Sequence, residues 1–241
     1  MDLNFLFETL VNLLPGLPLT LELAAGAVVL GAMLGLPIAL MRISGMRLLA
    51  SVAWLYVQII RSVPLLVMLF LIYYGLGQFE AIRMSFLWAF FREPHWCALL
   101  ALTINTSAYA SEIIRGGLQS VPRGELEAAR ACGMSRFLMF HRIVLPVAIR
   151  QALPAYGNEV IAMVKGTSLA SLVTLMDVTG IAASIASETY RPVEVFVVAG
   201  SIYFGINFIL TRIVTMAEYR LTPHLRSRPI SPIQSVKETA I

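Results

Sequence analysis

Three charged side chains, Arg61, Glu112 and Glu159, stand inside stretches that are otherwise almost wholly apolar. An ionisable group in hydrocarbon costs about 2.5–3.5 kcal/mol on insertion scales, so each is read by default as a place for a solute or a partner charge. Residues able to make or break covalent bonds do not form a pattern. His95, His141 and His224 are scattered without metal-ligand spacing, no Ser/His/Asp or paired-carboxylate arrangement occurs, and Cys97 and Cys132 form no CxxC. Both cysteines are read as packing residues. Lys165-Gly166-Thr167-Ser168 holds the letters of a phosphate loop in another order, at the end of an apolar helix rather than after a strand. Neither a catalytic residue nor a metal ligand is expected.

The elements that must hold these charges are membrane-length helices. The chain has 241 residues, 58% of them hydrophobic and 13% charged, with a mean hydropathy of +0.79. That charged share is about half the soluble norm. The net charge of +4 is not gathered in one patch, so nucleic acid is not expected as a partner. A span needs about 20 mostly apolar residues. Residues 16–41, 48–77, 96–114, 147–164 and 195–211 qualify, the second being interrupted by Arg61 and Pro64. Residues 169–187 are long enough for a sixth, but a sixth crossing would move the basic cluster from Arg212 to Lys237 outward. With five spans and the N-terminus outside, Arg42, Arg47, the arginines from Arg115 to Arg150, and Arg212 to Lys237 all fall inside, as the positive-inside bias requires. Residues 169–187 are therefore read as a re-entrant or extracytoplasmic segment packed on protein. The start Met-Asp lacks a basic n-region, so no cleaved signal peptide is expected. The organisation is an extracytoplasmic segment 1–15, a membrane domain 16–220 and a cytoplasmic tail 221–241.

Between the third and fourth spans, residues 116–146 are too polar to cross and too apolar to be an idle linker. They read as two short helices. Ser120 and Pro122 suit a first turn, Glu125 and Glu127 suit the positive end of a helix dipole, and Gly133 closes the helix in a left-handed conformation. Ser135 then caps a second helix over 136–145, which Pro146 stops. The pattern is Glu127-Ala128-Ala129, three residues, Gly133, nine residues, then Ile143-x-Leu145-Pro146. This resembles the EAA motif in the membrane subunits of ATP-binding-cassette importers. Arg61-Ser-Val-Pro64-Leu-Leu, Ala108-Tyr-Ala-Ser-Glu112-Ile-Ile-Arg-Gly-Gly117, Ser120-Val-Pro-Arg-Gly-Glu125 and Leu153-Pro-Ala-Tyr-Gly-Asn158-Glu159 strengthen the likeness. Together they resemble the polar amino acid permease family, in particular its histidine, lysine–arginine–ornithine and opine permeases, over about residues 17–220.

The resemblance implies an all-α polytopic chain of five transmembrane helices with the type I ABC importer permease fold, in the bacterial cytoplasmic (inner) membrane. It implies a homodimer of cytoplasmic ATPases that binds ATP and Mg, a second homologous permease subunit, and an extracytoplasmic binding protein meeting loops near 78–95 and 166–192. This chain itself would hold no cofactor and would not be an enzyme. Glu127, Ala128, Ala129, Gly133, Ile143, Leu145 and Pro146 would couple it to the ATPase. The cargo would be a polar, basic amino acid or an opine. A zwitterion needs a cation for its carboxylate, which Arg61 can supply beside carbonyls freed at Pro64. It also needs an acid for its ammonium, which Glu159, next to Asn158, can supply. Asn105 and Tyr109 add polar groups, and Glu112 either contributes or pairs with Arg115 one turn on. Arg61 and Glu159 neutralising each other as a buried pair stands as the alternative. Position 166 departs from the family, where an acidic residue often follows the lysine; here it is Gly166. Competing readings are an ion-coupled secondary transporter and a membrane scaffold without transport.

Overall fold

The structure is a computed structural model and describes residues 2–221. The tail expected at 221–241 lies, apart from Leu221, outside the described residues. In chain order the helices are α1 (Leu3–Leu13), α2 (Leu17–Ile43), α3 (Arg47–Ser62), α4 (Leu65–Phe70), the short turns α5 (Glu80–Arg83) and α6 (Trp88–Phe91), then α7 (Pro94–Gln119), α8 (Arg123–Ala131), α9 (Arg136–Met139), α10 (Leu145–Gly166), α11 (Val178–Thr189) and α12 (Pro192–Leu221). No strand is present among the described residues.

Among the described residues, three continuous helical stretches are long and apolar enough to cross a membrane: Leu3–Ile43, Pro94–Gln119 and Pro192–Leu221. Two bent pairs bring the total to five if each counts as one span: Arg47–Ser62 with Leu65–Gln78, turned by 102°, and Arg136–Val173 with Val178–Thr189, turned by 50°. The first bend follows from Pro64, whose ring forces Val63 into extended backbone (φ −88°, ψ 126°) and ends α3. The second bend contains the segment expected to be re-entrant. After a 3-10 stretch Thr167–Val173, Thr174 turns left-handed and Asp177 caps α11 by accepting a 2.8 Å bond from the Gly180 N–H. Tyr203 of α12 donates its hydroxyl to the same carboxylate at 3.0 Å, fixing the break against the last helix. The residues before the first expected span are helical too: α1 buries Thr9 and Leu13 and packs on α11 and α12.

The central contact is α2 on α7. Without water to drive apolar faces together, helices in a bilayer associate through small residues that let backbones approach. Ala27, Gly31, Gly35 and Ala39, spaced by four, are all buried on one stripe of α2. A Cβ at Gly31 would stand 2.6 Å from the Thr106 Cβ, and one at Gly35 would stand 3.0 Å from the Ala110 Cβ. Hydroxyls tie neighbouring helices to this pair. Tyr156 of α10 donates to the Val28 carbonyl at 2.7 Å, and Tyr56 of α3 meets the Ser107 Oγ at 2.6 Å. Around the pair, Leu23, Leu69, Ala98, Ala101, Leu102, Met163 and Val173 form the main apolar core; Leu13, Val178, Ala182, Val195 and Val198 form a second one between α1, α11 and α12.

Gly31→Val forces two methyl groups into a contact already closed. Overpacking of this kind costs about 1–3 kcal/mol. The purified chain is expected to melt measurably lower in detergent, and an unchanged melting temperature would contradict the close α2–α7 contact.

Candidate functional site

A cleft of about 490 Å³ opens where the break between α3 and α4 faces α7 and α10. Arg61, Asn105, Tyr109 and Glu159 line it, with Pro64 and Met163 among its apolar walls. Each arrives by a simple route. Arg61 lies in the last turn of α3, just before Val63 and Pro64 redirect the chain, at the end where helix carbonyls lack helical partners. Asn105 and Tyr109 are one turn apart on the same face of α7, and Glu159 projects from α10.

The charges are held apart. Arg61 and Glu159 form no nitrogen–oxygen contact within 4.0 Å. Instead the Arg61 guanidinium lies 5.0 Å from the centroid of the Tyr109 ring, a cation–π contact that keeps its N–H groups available. Direct mutual neutralisation is thus not what the structure shows. Asn105 is 8% exposed, and its amide has no hydrogen-bond partner among the described residues. The amide opens on the cleft, where it can bond a polar group brought by a ligand. The arrangement offers a cation, an acid and an amide around one small volume, and no nucleophile activated by a base.

Two expected members are elsewhere. Asn158 is exposed and does not line the cleft. Glu112 sits further along α7, where its Oε1 accepts from Arg42 Nε at 3.2 Å and its Oε2 from Arg115 Nη2 at 2.6 Å. Pairing with Arg115 was one of the two options the spacing left open. Arg42, seventy residues away in the chain, gave no local sign of being a partner. Gly166 borders the cleft indirectly: a Cβ there would lie 3.2 Å from Leu65 and 3.7 Å from Met163, both lining residues. Residues 165–168 make no phosphate cradle, since the Thr167 and Ser168 hydroxyls donate back to the carbonyls of Val164 and Lys165.

The second feature is the loop between α7 and α10. Gly133 takes φ +74°, the left-handed value expected of it, while the Met134 N–H returns to the Ala129 carbonyl at 3.1 Å. Ser135 caps α9 by accepting from Leu138 N at 3.3 Å. Ala129 is buried against this turn, whereas Glu127 and Ala128 are exposed. Phe137 is 74% exposed and Phe140 44%. No sequence signal separated these two aromatics from core residues. At the base of the loop, a Cβ on Gly117 would stand 2.7 Å from the Ala148 carbonyl oxygen, so α7 and α10 are in backbone contact where they enter and leave it.

Three expectations fail here. Ser120 does not start α8; it closes α7, with its hydroxyl donating to the Gly117 carbonyl at 2.7 Å, and Pro122 alone precedes α8. Pro146 does not stop the second helix. Residues Phe140–Val144 form a π turn that runs into α10, with Pro146 in the first turn of that helix, where the missing N–H matters little. Cys132 is exposed rather than packed, unlike Cys97, which is fully buried.

The comparisons with known proteins agree with this architecture. Residues 27–223 match the family described as binding-protein-dependent transport system inner membrane component. The nopaline transport system permease protein NocM of Agrobacterium fabrum is 56% identical over 229 residues, covering 95% of each chain. The octopine transport system permease protein OccM of Rhizobium meliloti is 55% identical, covering 95% of this chain and 94% of its own. The histidine/lysine/arginine/ornithine transport system permease protein HisM of Salmonella typhimurium is 42% identical, covering 88% and 91%. Among solved structures, an amino acid ABC transporter with histidines superposes with a TM-score of 0.81 at 36% identity, over 91% of this chain and 99% of that one. The methionine transporter MetNI, at 19% identity and TM-score 0.61 over 90% and 99%, shares the fold. This chain belongs to the family of inner membrane components of binding-protein-dependent transport systems, with the type I importer permease fold.

Proposed function

We propose that this chain is the permease subunit of an ATP-driven importer in the bacterial inner membrane, and that it carries polar amino acids with a basic side chain or the opines derived from them. The observation that carries the reading is the cleft in which Arg61 and Glu159 face the same volume without pairing to each other. Arg61 would take the carboxylate of the cargo, and Glu159 the ammonium or guanidinium. Asn105 would offer its cleft-lining amide to a polar group of the cargo, and Tyr109 would hold Arg61 in place. The names of the relatives support the same cargo class. Asn158 and Glu112, expected as ligands from sequence, have no contact with the cleft and are not assigned to it.

Because no phosphate loop exists in the chain, the energy would come from a separate pair of cytoplasmic ATPases that binds ATP and Mg. The exposed loop with Glu127, Ala128, Ala129 and Gly133 would dock on them; Ile143, Leu145 and Pro146 continue its second helix into α10. A second permease subunit would complete the pathway, and an extracytoplasmic binding protein would deliver cargo, with the N-terminus outside and the C-terminus in the cytoplasm. Membrane domain and tail would divide near residue 220. The step catalysed is a change of access, not a chemical bond.

In the assembled complex with radiolabelled arginine as probe, Glu159→Gln and Arg61→Ala are each expected to weaken binding at least about tenfold. That is the loss of one charge-assisted bond. Wild-type affinity in both would remove the cleft from the pathway. Glu127→Lys and Gly133→Asp are expected to leave the protein in the membrane and the arginine affinity unchanged while abolishing ATP-dependent uptake. Normal vanadate-sensitive uptake by both would count against the docking role.

A further inference from the structure

Glu112 uses both carboxylate oxygens on side chains of its own chain. Arg42, in the last turn of α2, donates to one; Arg115 donates to the other through Nε at 3.1 Å and Nη2 at 2.6 Å. Arg115 also donates through Nη1 to Gln119 Oε1 at 2.7 Å. The side chains of Arg42 and Glu112 are each 19% exposed and that of Arg115 28%, so the cluster is shielded in a way a surface pair is not. A continuous row, Arg42–Glu112–Arg115–Gln119, therefore runs down the last two turns of α7 and stops where the helix gives way to α8.

What this row spans is the weak part of the helix. Gly116 and Gly117 lie between Arg115 and Gln119, and consecutive glycines soften a helix at the point where they occur. Gly117 is needed for the close contact with Ala148, but a Cβ at Gly116 would meet nothing within 4 Å, so packing does not require the second glycine. On the other side, Tyr109 and Asn105 lie three and seven residues before Glu112 on α7. At 1.5 Å per residue they stand about 4.5 Å and about 10 Å further up the same helix. The cleft and the loop are thus joined by one helix with a soft joint; the Arg115–Gln119 bond is the member of the row that crosses it, while Glu112 holds Arg115 for that bond and ties the helix to α2 just before the joint.

We propose that Glu112 is a positioning residue for transport: through Arg42 and Arg115 it makes the end of α7 rigid and moves it together with α2. Displacement of the loop at α8 then reaches Asn105 and Tyr109 instead of being absorbed by bending at Gly116–Gly117. The inference rests on the importer reading above.

The experiment uses the complete complex in proteoliposomes, with the binding protein and radiolabelled arginine outside and ATP enclosed in the lumen, and ATP hydrolysis is followed in the same vesicles. Glu112→Gln is expected to keep arginine affinity and ATP hydrolysis while arginine transported per ATP falls at least about fivefold, the lower end of ordinary coupling between sites. Arg42→Gln, which removes only the tie to α2, is expected to lose part of the same coupling, and the double variant no more than Glu112→Gln alone, because Arg42 acts through Glu112. Gly116→Ala, which stiffens the joint without a clash, is expected to restore at least half of the lost coupling in the Glu112→Gln background. Should Glu112→Gln fail to assemble, Arg42→Gln with and without Gly116→Ala gives the same reading. Wild-type coupling in the variants, multiplicative losses in the double variant, or no rescue by Gly116→Ala would each overturn the proposal. A wild-type complex without ATP-dependent uptake would instead overturn the importer reading itself.

Discussion

The backbone approach of α2 to α7 is the constraint on which the rest depends. Gly31 and Gly35 have no side chain to hold the helices apart, so Thr106, Ser107 and Ala110 lie directly on α2. That fixes the rotation of α7 about its own axis. One face, with Asn105 and Tyr109, is then turned to the cleft, while Glu112 meets Arg42 on α2. In water such a contact would be one among many. In a bilayer, where lipid chains compete equally for apolar surface, close packing and the few interhelical hydroxyl bonds, Tyr156 to Val28 and Tyr56 to Ser107, carry the assembly.

The two bends do the complementary work. A straight helix presents no free backbone groups, and hydrocarbon tolerates none, so irregular backbone must be lined by protein or a cavity. The bend at Pro64 borders the polar cleft. The bend before α11 has a different solution: Asp177, fully buried, accepts from the Gly180 N–H and the Tyr203 hydroxyl, and the Val178 N–H donates to Thr20. One irregularity faces an open volume, and the other is closed by side chains from α2 and α12. The first thus leaves a polar volume open, and the second is a fixed corner.

Much of this was legible from sequence because the membrane imposes simple rules. The interruption at Pro64, the left-handed Gly133 and the cap at Ser135 are local properties, set by a few neighbouring residues, and the structure has all three, whereas the first and last helical stretches, Leu3–Ile43 and Pro192–Leu221, run well past the spans expected there. What the sequence did not give depends on contacts between distant segments. Whether Glu112 faces a cleft or an arginine depends on the rotation of α7 against α2, decided by glycines eighty residues earlier in the chain. The exposure of Phe137 and Phe140 is a property of a loop that no other described residue covers. Pro146 was misjudged for a different reason: a proline ends a helix only where its missing N–H would be needed, and the π turn before it moves that position into a first turn.

The unequal burial of the two cysteines has a practical side. Cys97 is sealed in α7, with its Sγ against the Phe91 carbonyl at 3.2 Å, whereas Cys132 stands exposed at the end of α8. A maleimide dye or spin label therefore finds a single exposed thiol on the unaltered polypeptide, and it sits beside Gly133 in the loop between α7 and α10. Spectroscopy of loop motion can begin without engineering a cysteine-free background.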